Sequence, residues 1–164
     1  MITVRPSILA SLFVILGVMS EAICTGKGPI GVMRRLHQPR WALPIAAWYV
    51  VGVLYYAMCF AVVYRMEKSG TAWSAPLTLI GAMMLANGAW NFIFFRLRAL
   101  RWSFWFYAPY SLLVTALICA LWLVDRVSAT LLIVYSAYLP YALAWSYAVL
   151  KLNSPPAEGK TRTI

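Results

Sequence analysis

The sequence predicts an all-α membrane protein, a bundle of five transmembrane helices. Three observations predict it. Hydrophobic residues make up 63% of the 164, charged residues only 11%, and the mean hydropathy is +0.78. Soluble domains carry about a quarter charged residues. Windows free of Lys, Arg, Asp and Glu run over 6–20, 41–64, 72–95, 102–124 and 127–150, and a helix rising about 1.5 Å per residue crosses the hydrocarbon layer in about 20 residues.

The first window is short. It becomes a span over about 6–25 if Glu21 is admitted near an interface, flanked by Arg5 and Lys27. Arg5 followed by "ILASLFVILGVM" also has the charge and apolar length of a signal peptide, and that alternative stays open. The remaining spans are expected over about 44–65, 74–96, 102–124 and 127–151, forming one domain over 1–153 with a short polar tail over 154–164. Pro44 and Pro76 suit a first helical turn, Ser74 and Ser128 can cap, and "NSPP" from Asn153 closes the last helix. Connections are short, except a first loop around "GKGPIGVMRRLHQPRW".

With five spans, the first loop, third loop and tail share a side that holds ten of the fourteen basic residues. The positive-inside tendency therefore places the N-terminus outside and the C-terminus in the cytoplasm. A net charge of +10 also raises nucleic acid, but the basic residues flank apolar spans and no separate domain exists to bind it. Anionic lipid headgroups of the bilayer are the expected partner.

Several chemistries lack their parts. Cys24, Cys59 and Cys119 are dispersed and odd in number, His37 stands alone, and Glu21, Glu67, Asp125 and Glu158 lie far apart in sequence. No metal site, no catalytic group and no required cofactor is expected. An intramembrane acid is a functional candidate by default. Glu21 sits at the end of a short span near Lys27, so a structural role in interfacial water is expected over a proton relay.

Attention then falls on the aromatic and amide faces. On a helix turning about 100° per residue, Asn87, Trp90, Asn91 and Phe94 share one face, while Ala82, Ala86 and Ala89 gather opposite. The alanine stripe would let another helix, such as one of a second subunit, approach closely. The amide face should meet protein, water or a ligand, because an unsatisfied amide in lipid costs several kcal/mol. Matching stripes are Pro44, Trp48, Val51, Tyr55 and Met58 in the second span and Val134, Tyr138, Tyr141 and Trp145 in the fifth. Pro109 and Pro140 should bend spans four and five, leaving carbonyls such as that of Ser136 without a helical donor. Bent, aromatic-lined helices suit a large, flat, mostly apolar ligand. Simple helix packing explains the same stripes, and Trp41, Trp73, Trp102, Trp105 and Trp122 lie near span ends where interfacial belts occur.

"LANGAWNFIFF", residues 85–95, resembles the third-helix signature of the TspO/MBR family, the tryptophan-rich sensory proteins and translocator proteins. "HQPRWALP" resembles the family's first-loop Pro-x-Trp-x-x-Pro, matched by Pro39, Trp41 and Pro44. "VLYYAM" from Val53 resembles its second-helix Leu-Tyr-x-x-Met, and "LPYALAWSYA" from Leu139 its fifth-helix Pro-Tyr segment. The likeness covers about residues 30–153. It implies a five-helix membrane protein, commonly a homodimer, that binds porphyrins (haem-like tetrapyrroles) and other flat lipophilic ligands in a pocket closed by the first loop, as sensor or transporter. By matching positions the pocket candidates are Trp41, Tyr55, Asn87, Trp90, Asn91, Tyr141 and Trp145.

The chain departs from the family pattern at Val32 and Met33, where a Trp-Tyr pair is usual, and at Val51, where a second-helix Trp is usual. Trp145 falls one residue late relative to Pro140, and the Asn-Trp-Ser pattern reads Asn-Gly-Ala-Trp-Asn. Some bacterial members are associated with light-dependent breakdown of protoporphyrin by pocket tryptophans. With Val51 in that place a binder is expected rather than an enzyme, and Trp48, one turn away, is the candidate substitute. Leu143, Tyr147 and Lys151 satisfy a loose sterol pattern, as do Val62, Tyr64 and Lys68. The short start without an Arg/Ser-rich amphipathic presequence favours a bacterial membrane.

Overall fold

The computed structural model describes residues 5–69 and 75–154, and all regular structure among them is helical. Trp73, Ser74 and residues 155–164, including Glu158, Lys160 and Arg162, lie outside the described residues. Five helical stretches are long and apolar enough to cross a membrane: Pro6–Thr25, Ile45–Ser69, Ala75–Arg96, Leu100–Trp122 and Arg126–Asn153. Only the first two are single uninterrupted helices, α1 (Pro6–Thr25) and α3 (Ile45–Ser69). Between them the first loop forms a short helix, α2 (Pro29–Arg35), which loop composition had not suggested.

The third span joins α4 (Ala75–Asn91) to a π-helical turn over Phe92–Arg96. There Leu97 N–H donates to the Phe92 carbonyl, one residue wider than an α-helical bond. The fourth span divides into α5 (Leu100–Trp105) and α6 (Tyr107–Trp122), and the fifth into α7 (Arg126–Ser136) and α8 (Leu139–Asn153). Each break falls two or three residues before a proline, Pro109 or Pro140, that cannot donate to the carbonyl four residues back. The interruption at 137–138 also rotates the fifth span. Val134 is therefore 69% exposed rather than continuing the Tyr138–Trp145 face, and Tyr135 turns inward in its place.

Helix α1 packs on α3 and α4, α4 on α6, and α6 on α7. Close approach of α1 and α4 depends on two glycines. A Cβ on Gly88 would lie 3.0 Å from Ser20 Oγ, and one on Gly17 would meet the Met84 and Tyr56 side chains. Ala82, Ala86 and Ala89 are each half-buried within the chain. Outward faces are apolar, with Leu112, Leu54 and Leu85 exposed, as a lipid-facing surface requires. Trp102, Trp105 and Trp122 project outward near span ends, where indoles suit the interface.

At the end holding residues 65 and 125 the core is closed. Val62, Val63, Ile80, Leu121 and Leu132 are fully buried there. Arg65 forks onto Asp125, with Nε–Oδ2 at 2.8 Å and a terminal nitrogen to Oδ1 at 2.9 Å. Asp125, rather than Ser128, caps α7: its carboxylate accepts from Val127 N–H, and the Ser128 hydroxyl donates to it at 2.6 Å. The Arg65 guanidinium, aided by Ser128, holds the Asp125 carboxyl well below the usual carboxylate range.

Candidate functional site

The opposite end is open inside. A cavity of about 700 Å³ lies among α1, α3, α4 and the broken spans four and five, beneath the first loop. The breaks make it. Tyr107 and Tyr110 follow the interruption of span four, and Tyr135 and Tyr138 flank that of span five, so four phenols point into the bundle. The Tyr110 and Tyr135 hydroxyls meet at 2.8 Å across the floor. Trp48 and Trp145 stand 4.7 Å apart between ring centroids, and Trp90 stacks on Phe94 at 5.0 Å and 13°. Such pairs are energetically favourable beyond their area.

Of the expected pocket residues, Trp48, Tyr55, Asn87, Trp90, Asn91 and Trp145 line the cavity. Trp41 and Tyr141 lie outside the lining and meet each other edge-on at 5.7 Å. Tyr141 instead holds the loop, its hydroxyl accepting from Leu43 N–H at 2.8 Å. Leu143 and Tyr147 are on the exposed side of α8, with the Lys151 ammonium 5.5 Å from the Tyr147 ring.

The amide donors are taken up by protein partners, one of the alternatives the sequence left open. Asn91 is buried and its Nδ2 donates to the Asn87 carbonyl one turn back. Asn87 Nδ2 donates to Glu21 Oε2 at 2.7 Å, and the Tyr56 hydroxyl donates to the same oxygen at 2.6 Å. Glu21 therefore sits half-buried in the cavity wall, tied to α3 and α4. Its signal was its rarity as an acid within an apolar span; what sequence could not supply was which partners face it. Tyr107, Tyr110 and Tyr135 were missed because their stripes depend on helix breaks whose rotation is not legible from periodicity, and Tyr56, on unbroken α3, because its partner Glu21 lies on another helix.

The first loop closes the cavity and is fastened at several points. Gln38 Oε1 accepts from the indole N–H of Trp145 at 3.0 Å, while Gln38 Nε2 donates to the Met33 carbonyl. The Asn153 side chain clasps both backbone groups of His37, accepting its N–H at 2.9 Å and donating to its carbonyl at 3.0 Å. Met33, at a position where the family usually has an aromatic residue, lines the cavity. At the turn out of α1, Gly26 has φ 71° and lies so close to Arg96 that a Cβ would come within 2.8 Å of its Nε. Arg96 uses that approach to donate to the Ile23 carbonyl at 2.8 Å, at the free C-terminal end of α1.

Among the described residues no group of three His, Cys, Asp or Glu is placed to hold a metal. The arrangement can enclose a flat apolar body against aromatic faces, with Glu21 as a polar anchor. The model of the TspO/MBR family matches residues 8–152, nearly the whole chain. No curated protein and no solved structure matches it significantly.

Proposed function

We propose a function from the premise that this chain belongs to the TspO/MBR family: it binds porphyrins or other flat lipophilic ligands inside its helix bundle, as a sensor or transporter. The observation that carries this is the cavity itself. Its volume of about 700 Å³ falls within the range of about 300–1,000 Å³ usual for small-molecule sites. Its walls are aromatic, and a tethered loop covers one end. A bundle built only for packing would close such a space, as the end near Arg65 does.

A light-dependent porphyrin-degrading enzyme is the second reading. It is favoured by the Trp48–Trp145 pair, which lies on the cavity beside Val51, where the family's usual tryptophan is missing. Sterol contact at Leu143, Tyr147 and Lys151 would use the outer face of α8. A homodimer through the Ala82, Ala86 and Ala89 face, in a bacterial membrane with the basic first-loop side in the cytoplasm, completes the proposal.

The experiment is a dark titration of the purified protein with protoporphyrin IX, followed by quenching of tryptophan emission. Saturable binding in the micromolar range, weakened in Trp48→Ala, supports the site. Loss of the bound pigment on illumination, abolished in Trp48→Phe, would select the enzyme; an intact pigment selects the binder. Absence of saturable binding would refute both.

A further inference from the structure

Glu21 is the only charged side chain among the described residues that line the cavity, and no Lys, Arg or His faces it there. The one ion pair among the described residues, Arg65–Asp125, is at the other end of the bundle. Both protein donors to Glu21, Asn87 Nδ2 and the Tyr56 hydroxyl, go to Oε2. Oε1 is left without a protein partner among the described residues, on a side chain that belongs to the cavity wall. A half-buried carboxylate facing an apolar cavity is stabilised by a countercharge or by further hydrogen bonds. Here the wall supplies donors to one oxygen and no countercharge.

The rest of the lining is what a cation favours in place of water. Trp48, Trp90, Tyr55 and Tyr107 line the same space, and aromatic faces attract ammonium and iminium groups electrostatically. The basic groups lie outside: Arg96 crosses over Gly26 at the loop end, next to Lys27.

Resting on the ligand-binding function proposed above, we infer that this cavity selects flat lipophilic ligands carrying a protonated nitrogen, which donates to Glu21 Oε1, and disfavours ligands whose buried end is anionic. Acidic arms of a tetrapyrrole would point to the loop end, towards Arg96 and Lys27, and away from Glu21.

The test compares two planar aromatic probes of similar size, 9-aminoacridine as the cation and anthracene-9-carboxylate as the anion, with protoporphyrin IX as a third titrant, all in neutral detergent. The parent should bind the cation at least about tenfold more tightly than the anion, a difference of about 1.4 kcal/mol. Glu21→Gln, which still accepts from Asn87 and Tyr56, should reduce that preference to within about twofold. Glu21→Asp, which keeps the charge, should retain the sign of the preference and guards against a packing defect in the glutamine variant. Equal affinity for the two probes in a parent that binds protoporphyrin IX would overturn the inference and leave the ligand site standing. So would an undiminished preference in Glu21→Gln. A parent that binds none of the three would overturn both.

Discussion

At the end where Arg65 meets Asp125, aliphatic side chains fill the bundle and a forked ion pair ties α3 to the start of α7. At the end beneath the first loop, the helices are broken, the side chains are large rings, and a cavity remains. The same five spans run through both. The difference lies in which residues they carry at each end: Val, Leu and Ile interdigitate without gaps, whereas Trp and Tyr held apart by helix breaks and loop tethers leave space between their faces. One end is therefore closed and tied across, and the other is open.

If this division holds, substitutions should separate into those that unfold the bundle, those that deform the cavity, and those that only loosen a rim. The largest effect is expected for Trp145→Ala. Its ring is 1% exposed, packs on Trp48 and Phe94, and anchors Gln38. Removing it should cost about 3–5 kcal/mol, read as a lower unfolding midpoint in detergent together with loss of ligand binding. Gly88→Val should follow, costing about 1–3 kcal/mol, because the new side chain meets α1 beside Ser20 and Glu21. It should also shift ligand affinity, since it displaces the helix that carries the carboxylate.

Asn153→Ala removes the clasp on His37. A stability loss of about 1 kcal/mol and faster ligand release in stopped-flow quenching are expected, with the far end unaffected.

The smallest effect belongs to the closed end. Asp125 has a carboxyl held well below its ordinary value of 3.8. A depressed carboxylate contributes stability that is fully present above that ordinary value and is lost as pH falls below it towards the folded value. Melting midpoints of the parent should therefore decline on acidification below about pH 4, and Asp125→Asn should flatten that part of the decline. Arg65 is solvent-exposed, so the pair is screened and the difference should be small. Ligand affinity near neutral pH should not change.

The same contrast explains what the sequence made legible. Span number, the outward placing of Trp102, Trp105 and Trp122 and the inward face of Asn87, Trp90, Asn91 and Phe94 follow from apolar length and helical period, and they appear in the structure. The stripe through Val134 does not continue, because period alone assumes an unbroken helix and Pro140 interrupts it. The two asparagines were recognisable as groups that must avoid lipid, but their partners were not. Asn87 is satisfied by Glu21, 66 residues away in sequence, a pairing only the packing of α1 on α4 creates. Fastening the loop through Gln38, His37 and Asn153 was equally hidden, since it joins short polar residues with no periodic signature.

Gly52 offers the most direct test that ligands enter the open end. It lines the cavity, and a Cβ placed there meets nothing within 4 Å, so Gly52→Phe should fold normally while filling the space with a ring. In a dark titration with protoporphyrin IX beside the parent, and beside Leu123→Phe on the exposed surface, Gly52→Phe should lose binding at least about tenfold with an unchanged melting midpoint, and Leu123→Phe should bind like the parent. Parent-like affinity in Gly52→Phe would contradict the site and place the ligand elsewhere on the bundle.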